Sequence, residues 1–270
     1  MKVKAHTSSD VFDCKMWNYI KDLPTALMGA HVLAMLDIFD LVQLDAALLV
    51  RAQRHQLNQF FSEMPAISLL PIPLNQSIFT WFSVRGIHVN RLKIISLPDT
   101  QELGRYAEHV SEVELITSSS NSLDKLDSST SSERFRSLVT RLEVTEKILP
   151  DYVFSNLRSL TISCMAVDPD NLAIFLQSHP GIEEIRLSAG VKITDSVVDA
   201  LCFLGTSLQV LHLKRITISN TQLLKLSTHM KSIKNLVYEP LESYLSFPVE
   251  GINALVEASQ NLLELELMSK

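Results

Sequence analysis

Between residues 157 and 267 the chain repeats one arrangement of apolar and polar positions. Leu157, Leu160 and Ile162 stand at positions 1, 4 and 6 of a short phrase. The frame returns as Ile182, Ile185 and Leu187, then as Leu208, Leu211 and Leu213. It returns again as Ile233, Leu236 and Tyr238, and as Leu262, Leu265 and Leu267. Successive copies start 25, 26, 25 and 29 residues apart. Side chains two residues apart in a strand point the same way, so positions 4 and 6 predict a short strand with one apolar face. A single strand of this kind buries nothing, and its recurrence predicts parallel strands stacked over a shared apolar interior. Each buried Leu or Ile then contributes roughly 1.5–3 kcal/mol. Weaker copies run upstream over residues 139–144, 110–115, 89–94 and 67–72. Val139 and Leu157 are only 18 residues apart. One repeat there is either compressed or wrongly framed.

The segments between the phrases predict helices. Asp168 stands before Pro169, a capping acid followed by a residue suited to the first turn. Leu172, Ile174, Phe175 and Leu176 follow, and His179-Pro180-Gly181 ends the run. Ile193-Thr194-Asp195 opens a second helix with Val197, Val198 and Leu201 on one face. Ser219 caps a third that carries Leu223, Leu224 and Leu226, and a fourth runs from about Val249 to Ser259. Residues 117–133 break the pattern: serine dominates, apolar content is low, and the stretch predicts a mobile insertion.

The phrase resembles the leucine-rich repeat, L-x-x-L-x-L-x-x-N/C-x-L. Helical connections at 25–26 spacing resemble the ribonuclease-inhibitor-like class. The run from Ile193 to Leu201 resembles the start of the helix in F-box leucine-rich proteins. The resemblance implies an α/β solenoid of about seven to nine repeats over residues 63–270, a curved parallel sheet with outer helices. It also implies that positions 3 and 5 of each strand face an open concave side that holds a protein target. The target-binding residues expected there are Arg141, Glu143, Thr161, Glu184, Arg186, Val210, His212 and Val237. Ser159, Asn235, Glu264 and Glu266 occupy the same positions in other repeats, and Arg91, Glu112 and Arg141 are expected to alternate in sign along one row. A lateral charge ladder that merely stabilises a solvated face is the simpler reading of that row. The asparagine or cysteine of the ninth position is missing. Met165, Ile216 and Leu241 stand there, so the turn after the strand must be satisfied otherwise.

Residues 1–18 read as a tail and residues 19–62 as a separate helical module. Leu23-Pro24 is followed by Leu27, Val32, Leu33 and Leu36, then by Asp37-Ile38-Phe39-Asp40-Leu41 and Leu44. This resembles an F-box: a Leu-Pro start, a helix, a Leu-Asp-x-x-Asp-Leu hinge and a second helix. The resemblance implies a substrate receptor of a cullin–RING ubiquitin ligase, docked to a Skp-type adaptor through Leu23, Pro24, Leu33, Leu36, Leu41 and Leu44. Where an F-box continues as Val-Cys-basic-x-Trp, this chain has Ala47-Leu48-Leu49-Val50-Arg51. The same leucines also suit a helical cap over the naked face of the first repeat, and both readings stand.

Composition narrows the function classes. The chain has 270 residues, of which 46 % are hydrophobic and 20 % charged, enough apolar content for a packed core. A net charge of −6 supplies no electrostatic basis for binding nucleic acid or an anionic membrane. Seven glycines are too few for glycine-rich phosphate loops. Cys14, Cys164 and Cys202 are too widely spaced for a disulfide framework or zinc site. The richest apolar stretch, residues 26–36, is interrupted by His31 and falls short of the roughly 18 residues a spanning helix needs. Residues 1–10 lack the apolar centre of a signal peptide, so a cytoplasmic protein is expected, with the nucleus also compatible. No nucleophile, phosphate-loop or metal-binding motif occurs, and the expectation is a binding protein without catalytic residues, cofactor or metal. The phrase at residues 262–267 is followed by three residues only, which predicts an open strand edge blunted by Glu264 and Glu266.

Overall fold

A computed structural model of the chain describes residues 89–94, 110–117, 130–145, 151–164, 166–241 and 248–268, together with His55 and Val84. The chain divides into two units, Met1–Lys93 with Arg105–Ser111, and Ile94–Gly104 with Glu112–Lys270. Strand β1 (Val89–Ile94) falls in the first unit except for Ile94. The adaptor-docking candidates Leu23, Pro24, Leu33, Leu36, Leu41 and Leu44 lie outside the described residues.

The second unit takes in its first strand from Glu112 onward, and strands and helices there mostly follow one another in turn. From β2 (Val110–Thr117) the order is α1 (Thr130–Leu138), β3 (Val139–Val144), β4 (Ser159–Ile162), α2 (Pro169–Gln177) and β5 (Glu184–Leu187). Then come α3 (Asp195–Phe203), β6 (Val210–Ile216), α4 (Asn220–His229), β7 (Asn235–Pro240), α5 (Val249–Ala258) and β8 (Glu264–Leu267). Each strand from β2 to β8 pairs in parallel with the next in chain order. The helices from α2 to α5 pack on one another in the same order. This is the stacked strand–helix, solenoid-like architecture that the periodicity predicts.

Register makes the apolar interior continuous. Leu115, Leu142, Leu160, Ile185, Leu211, Leu236 and Leu265 form one row across the sheet. Val144, Ile162, Leu187, Leu213, Tyr238 and Leu267 form a second. Up to Leu236 and Tyr238 every member of both rows is buried, whereas Leu265 and Leu267 at the last strand are each 43 % exposed. The helices add Leu172, Phe175 and Leu176, then Val197, Val198 and Leu201, then Leu223 and Leu226, and finally Ile252 and Leu255.

Two local expectations change. Leu115 pairs with Leu142, so it occupies position 4 of its repeat rather than position 6. The register shifts between Val113, opposite Val139, and Glu114, opposite Arg141. Glu114, not Glu112, is therefore the acidic neighbour of Arg141. Val110, Val113, Leu115 and Thr117 are all buried, so alternation alone admits two frames two residues apart, and the bulge selects one. The serine-rich stretch is also bounded by regular elements: Thr117 ends β2, and residues 130–133 begin α1, where Ser132 is fully buried.

The 18-residue repeat is compressed, not misread, because β3 and β4 are neighbours with Leu142 opposite Leu160. Among its described residues no helix stands between them. Phe154 fills the layer instead, 1 % exposed and 6.4 Å in ring centroid from Phe175. Its backbone N–H donates to Nε2 of His179 at 2.9 Å. His179 donates from Nδ1 to the Phe175 carbonyl at 2.6 Å and stacks on Phe175 with centroids 4.1 Å apart. The histidine just beyond α2 thus fastens the segment around Phe154 to the next repeat.

After several strands the turn is held by a backbone bond to the preceding strand, with a hydroxyl beside it. Thr145, Ser163 and Ser188 each follow the last residue of a strand, and their N–H groups donate to Thr117, Val144 and Ile162 carbonyls. Thr145 Oγ1 also donates to the Thr117 carbonyl at 2.8 Å, and Ser188 Oγ reaches Ser163 Oγ at 3.1 Å. Helix starts behave as predicted. Asp168 accepts from the Asp170 N–H, and Ser219 forms a reciprocal capping box with Gln222. The first turns are also linked laterally: Ser196 to Asp170, Gln222 to Asp195, and the Gly251 N–H to Asn220.

Candidate functional site

The residues between the apolar positions form the other face of the sheet. One row runs Glu114, Arg141, Ser159, Glu184, Val210, Asn235, Glu264. The next runs Ile116, Glu143, Thr161, Arg186, His212, Val237, Glu266. Parallel pairing sets neighbouring members about 4.8 Å apart, so each row is a contiguous strip. All eight expected target-binding residues are thereby brought to one face.

Their exposure differs. Arg141 and Arg186 are exposed, Glu143, Thr161, Glu184 and Val210 are half-buried, and His212 and Val237 are closed off at 8 % and 2 %. A recess of about 140 Å³ is lined by Arg141, Arg186, Glu114, Glu143 and Glu184, with the hydroxyl residues Ser159 and Thr161.

A hydrogen-bonded chain crosses this face from β5 to β8. Arg186 Nε donates to Glu184 Oε1 at 2.5 Å, and Arg186 Nη1 lies 3.0 Å from Nδ1 of His212. His212 Nε2 lies 2.9 Å from Asn235 Oδ1, and Asn235 Nδ2 donates to Glu264 Oε2. Arginine has only donors, so Nδ1 of His212 must accept and Nε2 must carry the proton. That tautomer fits a carbonyl oxygen at Asn235 and leaves the Asn235 amide N–H for Glu264. The whole chain is consistent only with a neutral imidazole. Of its members, Asn235 and Glu264 were placed on the face by the repeat alone; their role in ordering His212 depends on bonds that spacing does not reveal.

The electrostatics follow from these neighbours. Burial lowers the His212 pKa, and the Arg186 charge lowers it further, against the opposing pull of the Asn235 bond and Glu184. Burial alone would raise the Glu184 carboxyl. Hydrogen bonds from Arg186 and Ser159, with the charges of Arg186 and Arg141, outweigh it and hold the group below the ordinary carboxylate value. Arg186 therefore favours an ionised Glu184 and a neutral His212 at the same time.

Elsewhere, Cys202 is half-buried and its thiol pKa is raised, chiefly by burial, which makes a thiolate nucleophile less accessible. Among the described residues no group of His, Cys, Asp and Glu is arranged to hold a metal ion. Among them, too, no helix is long and apolar enough to cross a membrane. No protein-family model matches the chain, and no curated protein matches it.

Proposed function

We propose that the polar face of the sheet recognises a protein partner. The observation that supports this reading is the hydrogen-bonded row from Glu184 to Glu264, set beside the recess at Arg141. It offers both charge signs at fixed positions on a broad surface, the arrangement that selects a partner by electrostatic complementarity. Arg141 and Arg186 are both exposed cations of the recess; Arg186 is engaged with Glu184 and His212, and Arg141 suits a partner carboxylate. Among its described residues the face has no stripe of one sign, which disfavours a nucleic-acid ligand.

In its most specific form the reading is an F-box-like leucine-rich repeat protein, a substrate receptor of a cullin–RING ubiquitin ligase. Its support is the sequence resemblance of residues 23–44 and the repeat that follows. In the alternative form the N-terminal helices only cap the repeats, and the chain is a recognition scaffold.

Two experiments separate these. Quantitative affinity purification with the wild-type chain and with Arg141→Glu should show partners that are retained by the first and lost by the second. An identical partner set would overturn recognition through this face. Co-purification with a Skp-type adaptor at micromolar protein tests the ligase form, and no association removes it without touching the face. A Leu41→Asp, Leu44→Asp double change should abolish adaptor binding with the repeats still folded. Global unfolding would favour the cap.

A further inference from the structure

The apolar layer of the sheet is unfinished at β8. The first position of the repeat is buried at Leu157, Ile182, Leu208 and Ile233, whereas its counterpart Leu262 is half-buried. Leu265 and Leu267 continue the rows of Leu236 and Tyr238 yet stay exposed, and Leu263, just before the strand, is 84 % exposed. One side of β8 pairs with β7, and among the described residues no strand pairs with the other. An edge of this kind presents backbone N–H and C=O groups to an added strand. A strand laid there with apolar residues at alternate positions would cover Leu265 and Leu267 as β6 and β7 cover the rows before them.

The charges on the same strand select among occupants. Glu264 and Glu266 alternate with the leucines, and Glu264 accepts from Asn235 Nδ2, which holds it in the polar row. Directly opposite residues of paired strands share a face and lie close together. Two copies of β8 paired about a two-fold axis with leucine against leucine would also set glutamate against glutamate, a destabilising arrangement. A strand with cations at its polar positions would instead gain a favourable neighbour at each glutamate.

We propose that the β8 edge takes up an extended segment of a partner protein in which lysine or arginine alternates with leucine, isoleucine or valine. The apolar side chains of the segment cover Leu265 and Leu267, its cations lie beside Glu264 and Glu266, and its backbone bonds to the outer side of β8. No residue of β8 lines the recess at Arg141, so the edge is a second recognition site.

The test is amide NMR of the full chain titrated with a synthetic peptide in which lysine alternates with leucine between threonine ends. The backbone resonances of Leu265 and Leu267 should shift saturably at sub-millimolar peptide. The same peptide with glutamate in place of lysine should bind at least tenfold more weakly. The double change Glu264→Lys, Glu266→Lys, at two exposed positions, should reverse that preference. Arg141→Glu should leave the titration unchanged, which separates this edge from recognition at the recess. Resonances of β8 that ignore both peptides overturn the proposal, and so does equal binding of the two. A loss of binding in Arg141→Glu also overturns it, because the peptide then lies on the polar face. So does concentration-dependent self-association of the wild-type chain that shifts the same resonances, because the occupant is then a second copy.

Discussion

Arg186 and His212 face one another across 3.0 Å, a permanent cation against the lone pair of a neutral ring. Protonating His212 would turn that acceptor into a donor and set two positive charges in contact. His212 is therefore expected to titrate below its ordinary value of 6.5. Arg186→Met should move the midpoint upward, but not fully to 6.5, because burial, the largest cause, remains. Histidine ring NMR against pH measures both midpoints. An unchanged midpoint in the variant would show that the guanidinium does not act on the ring.

His179 carries a related prediction for stability. Burial lowers its pKa below 6.5, opposed by the Phe175 carbonyl bond. A group with a depressed folded-state pKa stabilises the fold above the unfolded value and loses that contribution as pH falls through the folded value. Denaturant midpoints should therefore be flat above about pH 6.5 and fall below it. His179→Phe keeps the stacking volume but orphans the Phe154 N–H. It should cost about 1–3 kcal/mol and reduce the pH dependence.

Gly251 sits where α5 meets α4. A Cβ added there would lie 2.5 Å from Leu223 Cβ and 3.1 Å from the Asn220 carbonyl oxygen. Alanine is the better helix former by roughly 1 kcal/mol, yet overpacking costs typically about 1–3 kcal/mol. The contact involves a Cβ rather than a flexible side-chain end, so the steric term should win. Gly251→Ala is expected to lower the melting temperature, and a rise would show that the two helices separate easily.

Ser219 and Thr194 occupy the same place before their helices but do different things. Ser219 accepts from the Gln222 N–H, while Thr194 makes no side-chain cap bond and pairs with Ser196 Oγ instead. Ser219→Ala should cost about 1 kcal/mol, and Thr194→Ala distinctly less. Chemical denaturation of the two variants side by side measures the difference, and equal losses would contradict the assigned caps.

The sequence carried the period, the strands at residues 159–162, 184–187, 210–213, 235–238 and 264–267, and the capping roles of Asp168 and Ser219. These are local signals. An apolar pair two residues apart reports its own strand, and a capping side chain bonds within three residues. The frame at Glu114 was not legible, because four buried side chains in Val110–Thr117 fit two frames equally well, and the bulge against Val139 and Arg141 chose between them. The compressed repeat was ambiguous because an 18-residue spacing fits either a shortened repeat or a wrong frame, and the pairing of Leu142 with Leu160 decided it.

The candidate site divides the same way. Alternation alone put Arg141, Glu184, Arg186 and His212 on one face, because a strand offers side chains only two sides. Which of them touch was decided by register between strands some 25 residues apart. A one-residue slip would have moved every one of them to the other face. The His212 tautomer and the ionisation of Glu184 arise from neighbours brought close in space. Periodicity along the chain is thus enough to specify a stack, whereas pairing across it sets which side chains hydrogen-bond to one another.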